Sequence, residues 1–133
     1  MKRNKIFIFM LIAICAILIG GCSLNTQRGS LTVDKALIGH WINSNGTPDY
    51  YFSATGFTKV QKDGSTTNMT YTVLKSNDTD NTISIRVSYP TSVVQDEDIK
   101  LSTDKKSMTE TVTILGVNMS EANYNYVDSK TKP

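Results

Sequence analysis

From Thr82 to Tyr89 the chain alternates without a slip, with Ile83, Ile85, Val87 and Tyr89 set between Thr82, Ser84, Arg86 and Ser88. Successive side chains of a β-strand point to opposite faces, so this segment is predicted as a strand with one dry and one wet face. The period recurs down the chain. Tyr71 and Val73 alternate with threonines, and Ile99 and Leu101 alternate with Lys100 and Ser102. Met108, Val112 and Ile114 share one face, as do Ala122, Tyr124 and Tyr126. From Leu37 onward helix signals vanish, and β-branched or aromatic runs predict strands at about 38–43, 49–53, 56–62, 67–75, 82–89, 97–102, 107–115 and 121–127. Turn chemistry separates them: Asp63-Gly64 is a hairpin signal, while 77–81 and 103–106 are polar loops. Pro90 ends the fifth strand or marks an edge.

One dry face on nearly every strand predicts an all-β fold. The expectation is a small antiparallel β-barrel or half-barrel of about eight short strands, or else a thin sandwich. Closure has the further merit of hiding edge strands. Glu110 sits on the apolar face of its strand, either because the phase slips there or because a polar group stands inside.

Composition limits the size and the partners. From Cys22 on, 39 of 112 residues are Ser, Thr or Asn, and 11 basic side chains face 12 acidic ones. Such a length holds one domain, and such a balance carries no basic footprint for nucleic acid, so no nucleic-acid partner is expected.

The front of the chain reads as an export signal. Lys2, Arg3 and Lys5 precede an unbroken apolar run, Ile6 to Ile19, which ends in Gly20, Gly21 and Cys22. The stretch Leu18-Ile19-Gly20-Gly21-Cys22 resembles the lipobox of bacterial lipoproteins. That resemblance implies diacylglyceryl transfer to the Cys22 thiol, cleavage between Gly21 and Cys22, and an extracytoplasmic domain held to the bacterial cell membrane by lipid. Ser23 does not resemble the Asp that retains some lipoproteins at an inner membrane. The expected division is a signal peptide at 1–21, a lipidated N-terminus and flexible tether at 22–36, a β domain at 37–128 and a tail at 129–133. A short helical turn is expected at 35–38, with Asp34 as its cap. Cys15 leaves with the signal and Cys22 is taken by lipid, so no disulfide supports the domain.

Gly39-His40-Trp41 opens the first strand after that turn, and Tyr50-Tyr51-Phe52 with Ser53-Ala54-Thr55-Gly56 follow. This pattern resembles the lipocalin and calycin superfamily over about residues 37–127. The resemblance implies a barrel in which Gly39 permits close backbone approach and Trp41 plugs one end. The chain departs from that pattern in three ways. It is short, its later strands lack Thr-Asp-Tyr, and neither Arg28 nor Arg86 is placed to stack on Trp41 from the last strand.

Groups for chemistry are few. His40 is the only histidine and is expected on the outer surface beside Trp41. A serine nucleophile needs a base, no Gly-x-Ser-x-Gly occurs, and no acid/base pair or activated nucleophile is expected. Asp96-Glu97-Asp98 and Asp78-Thr79-Asp80-Asn81 are oxygen-rich but lack the EF-hand spacing, so no metal or other cofactor is expected. Two functions follow as expectations, neither of them enzymatic. One is a barrel binding a small apolar ligand, lined by Trp41, Phe52, Tyr71, Ile85, Met108 and Tyr124. The other is a solid-core module that engages a protein partner through Pro90–Asp98 and Gly116–Ser120.

Overall fold

The computed structural model describes residues 27–114 and 116–133. The signal segment, the cleavage site at Gly21 and Cys22 and the lipid on Cys22 lie outside the described residues. A 3-10 turn at Arg28–Ser30 and a short helix α1 at Val33–Leu37 precede the strands. These are β1 Gly39–Asn43, β2 Asp49–Phe52, β3 Gly56–Val60, β4 Thr66–Asn77, β5 Thr82–Ser88, β6 Val94–Leu101, β7 Ser107–Ile114 and β8 Val117–Asp128. Each pairs antiparallel with the next, and β8 pairs back onto β1, so the sheet closes as an up-and-down barrel. Neither a half-barrel nor a sandwich remains. Among the described residues no helix is long and apolar enough to cross a membrane.

Residues opposite each other in an antiparallel pair share a face. Trp41 lies opposite Tyr50 and Tyr126, Phe52 opposite Phe57, Ile85 opposite Glu97, and Met108 opposite Tyr124. All of these point inward. The alternation from Ile83 to Tyr89 is therefore the inner wall of β5, and the inward phase of Glu110 is real.

Two strands begin earlier than their composition suggests. β6 starts at Val94 because Gln95 and Asp96 pair with Val87 and Arg86, and an ion pair from Arg86 to Asp96 clamps that rung on the outside. β8 starts at Val117, and a bulge near Val112 and Thr113 re-phases the strand. The segments Pro90–Asp98 and Gly116–Ser120, expected as contact loops, are thus largely strand. Where sequence signals were strong, the turns match. Gly64 has φ +81° and its N–H donates to Gln61, as the Asp63-Gly64 hairpin requires.

Successive strands run in opposite directions, so the barrel has two ends of distinct composition. Residues 27–38 and the turns 53–55, 78–81 and 102–106 gather at one end. The turns 44–48, 61–65, 89–93 and the β7–β8 connection gather at the other.

The first end is sealed by the segment expected as tether, whose described part is folded. Val33, Ala36 and Leu37 of α1 are fully buried, and the Trp41 indole N–H donates to the Leu37 carbonyl at 2.8 Å. Asp78 accepts from the Val33 N–H at 2.7 Å and so caps α1, the place Asp34 was expected to fill. The Arg28 guanidinium lies 3.3 Å from the Tyr126 ring centroid and 5.2 Å from that of Trp41. Arg28 therefore reaches Trp41 after all, from the N-terminal turn instead of the last strand. Its N–H groups donate to the Lys105 and Ala36 carbonyls, and the Lys105 ammonium donates back to Gly29 at 2.8 Å. Gly39 is required here: it has φ +131°, and a Cβ would sit 2.6 Å from the Asp128 carbonyl.

Candidate functional site at the open end of the barrel

The inner wall changes character halfway along. Toward the seal it is Trp41, Phe52, Phe57, Met69, Ile83, Ile85, Ile99, Leu101 and Met108, all buried and in one apolar cluster. Toward the open end the same strands present Asn43, Tyr50, Lys59, Thr67, Tyr89, Gln95, Glu97, Glu110 and Tyr124. Beyond these, Ile114 and Val117 face each other across the last rung at 45% and 59% exposure, so the mouth has an apolar, wetted lip.

Two carboxyl groups stand at the floor of this mouth. Glu97 of β6 is 2% exposed and Glu110 of β7 is 4% exposed, and they lie within hydrogen-bonding reach of each other. Tyr124 donates its O–H to Glu110 at 2.9 Å, and its ring stacks on Tyr50 at 4.8 Å. The Gln95 amide donates to Glu97 Oε1 at 2.6 Å and to the Tyr89 hydroxyl at 2.7 Å, so Gln95 lies over Glu97 as a cover. Glu97 Oε2 is buried and receives no N–H or O–H donor among the described residues.

Two buried carboxylates side by side are costly, because burial and like charge both oppose ionisation. Burial foremost, and then Glu110, push the Glu97 carboxyl up to about 8. Burial raises Glu110 too, while hydrogen bonds from Glu97 and Tyr124 and the Lys59 ammonium pull it the other way. The least costly arrangement is a neutral Glu97 beside an ionised Glu110. The pair then holds one proton and one negative charge. Burial likewise raises Tyr50, Tyr124 and Tyr89, so these phenols stay neutral donors.

The residues expected to line a ligand cavity divide between the two regions. Trp41, Phe52, Ile85 and Met108 are buried packing of the dry half, and Tyr71 is half-buried with its hydroxyl donating to Ser53 at 2.7 Å. Tyr124 alone touches the polar floor. Glu110 stands out in the sequence by its phase, whereas Glu97 reads as one member of the oxygen-rich run Asp96-Glu97-Asp98. Alternation splits that run across the wall: Asp96 and Asp98 face out to Arg86 and Ser84, and Glu97 faces in. Two carboxyls from separate parts of the sequence are thus brought together across β6 and β7.

The remaining candidates are occupied elsewhere. His40 faces outward as expected but is covered, stacked on Tyr51 at 4.1 Å with Nε2 3.2 Å from Asp49. Ser102 and Lys105 have the Ser-x-x-Lys spacing of some serine nucleophiles. The hydroxyl donates to Asp104 and the ammonium to Gly29, so they form no nucleophile and base. Among the described residues no group of three or more His, Cys, Asp or Glu is placed to hold a metal ion. Comparison of the chain with protein-family models, curated proteins and solved structures gives no match in any of the three.

Proposed function

We propose that this chain is a lipid-anchored, extracytoplasmic, lipocalin-like binding protein that takes a small ligand at the open mouth of its barrel. The observation that carries the reading is the asymmetry of the inner wall. One end is closed by α1 and Arg28, while the other opens past Ile114 and Val117 onto a buried floor of hydrogen-bonding groups. A barrel mouth in which polar groups converge beneath an apolar lip suits a small molecule. The ligand is amphipathic instead of purely apolar, its apolar part resting on the lip. Catalysis fits less well, because Glu97 and Glu110 lie side by side beneath Gln95 and Tyr124, with no second face from which a substrate bond meets them.

The anchor rests on the lipobox-like Leu18–Cys22 and the charged, apolar segment before it. Ser23–Thr26 are the only residues between Cys22 and the first described residue, Gln27. Four residues span at most about 14 Å. Gln27 belongs to the sealed end, so lipid on Cys22 turns that end toward the membrane and the mouth toward the medium. Intact mass of the membrane-extracted protein tests the anchor. A mature chain beginning at lipidated Cys22 is expected, and one beginning at Met1, or at Ser23 without lipid, contradicts it. For binding, native mass spectrometry of the full chain against lipid and metabolite extracts should retain a saturable small molecule. Empty protein throughout contradicts the reading.

A protein partner is the second reading, favoured by exposed Val93, Val94, Val117 and Met119 around the same end. Crosslinking in cells through Val117 to one protein, with no saturable small ligand, would select it.

A further inference from the structure

Of the polar groups in the mouth, Glu97 is the one whose surroundings are incomplete. Glu97 is 2% exposed, and its Oε2 has no donor among the described residues. What balances it is a proton shared with Glu110, a small and exchangeable partner. Five strands around Glu97 of β6 contribute a titratable group that bears on that proton, while β1 and β4 present the neutral Asn43 and Thr67. β2 supplies Tyr50, β3 Lys59, β5 leads into Tyr89, β7 supplies Glu110 and β8 Tyr124. Lys59 is the one cation among them, and it leans on the Tyr50 ring with Nζ 5.8 Å from the centroid instead of forming an ion pair with either carboxylate. Beside the pair the rings of Tyr50 and Tyr124 stack on each other at 4.8 Å, and the Tyr124 hydroxyl donates to Glu110. The cover is Gln95, held in place by the two hydrogen bonds it donates to Glu97 and Tyr89.

We propose that the mouth is a site for a compact organic ammonium ion, whose N–H groups take the place of the proton between Glu97 and Glu110 while its alkyl part rests on Ile114 and Val117. The exchange balances. The free site holds one carboxylic acid and one carboxylate; the bound site holds two carboxylates and one ammonium, and one proton leaves to solvent. An ammonium brings three donors where the proton offers one, so it satisfies Glu97 Oε2 and Glu110 together. An anion would meet the charge of the pair, and a neutral alcohol could not discharge it.

This inference rests on the mouth being the binding site, and calorimetry on the full chain in neutral-lipid nanodiscs separates the two claims. The probes are n-butylammonium, 1-butanol and butyrate at pH 6.5. Butylammonium should bind saturably, and the heats in buffers of differing ionisation enthalpy should report release of about one proton. Glu97→Gln, close to isosteric, should weaken butylammonium by about tenfold or more and abolish the proton release. Glu121→Gln, on the outer face of β8, should leave both unchanged. If 1-butanol or butyrate binds as tightly as the amine, or if the amine binds without releasing a proton, the ammonium site is overturned and the mouth remains a binding site. If none of the three binds, both claims are overturned.

Discussion

The two ends of this barrel are built from the same eight strands and solve opposite problems. At the sealed end the chain spends its indole, its Arg28 and a helical turn on closing the sheet, and each polar group named there has a fixed partner. At the mouth the wall is half polar, the lip is wet, and one carboxyl oxygen is left with only a shared proton. The difference teaches where stability and function separate. A fully partnered end can only hold, whereas an under-partnered end can exchange.

The sharpest way to break this contrast is to damage the seal. Trp41→Ala removes a fully buried indole and its bond to Leu37. A cost of about 3–5 kcal/mol is expected, read by urea unfolding. A loss below about 1 kcal/mol would mean the seal does not carry the fold.

Next comes pH, because the two carboxyls raised by burial both stand in the mouth. Glu97 holds its proton to about 8 in the fold, against an ordinary value of 4.5. A carboxyl raised on folding contributes its full stability below the unfolded value, and that contribution is lost as pH rises through the folded one. Stability should therefore be highest near pH 4–5 and fall by up to about 1.4 kcal/mol per pH unit toward pH 8. In Glu97→Gln the slope should flatten and the variant should exceed the wild type above pH 8. A wild-type curve rising from pH 5 to 8 would sink the carboxyl pair.

The smallest effect tests whether the N-terminal turn is part of the seal. Arg28→Ala loses the stacking on Tyr126 and the bonds to Lys105 and Ala36. A loss of about 1–2 kcal/mol is expected. Amide exchange should quicken at 28–37 while β5 and β6 stay protected. Unchanged exchange at 28–37 would show that Arg28 does not fasten the segment.

Much of the barrel was legible because alternation reports inward and outward faces directly. Ile83 to Tyr89 gave the phase of β5, and Met108, Val112 and Ile114 gave that of β7. The seal was less legible. Ser23 to Asp34 has a tether's composition, and nothing local says that Arg28 finds Tyr126 far along the chain. The mouth was legible only in part. Glu110 stood out because it interrupts an apolar face, whereas Glu97 was hidden between Asp96 and Asp98 in what reads as a solvated acidic run. Extending the phase of Ile99 and Leu101 two residues further back would have turned Glu97 inward. The pairing of the two carboxyls depends on the β6–β7 register, in which Glu110 lies opposite Ile99 and Glu97 opposite Val112, and no local signal sets that register.

The central claim is that the mouth keeps a proton between two buried carboxyls, and the chain is well suited to a direct test. It contains three glutamates, Glu97, Glu110 and Glu121, so carbon-13 labelling at the glutamate carboxyl gives three resonances to follow from pH 3 to 10. The account predicts that the Glu97 resonance titrates near 8, disappears in Glu97→Gln, and moves with a second, weaker step in Glu110. Independent titration of Glu97 and Glu110 near 4.5, the ordinary glutamate value, would contradict it.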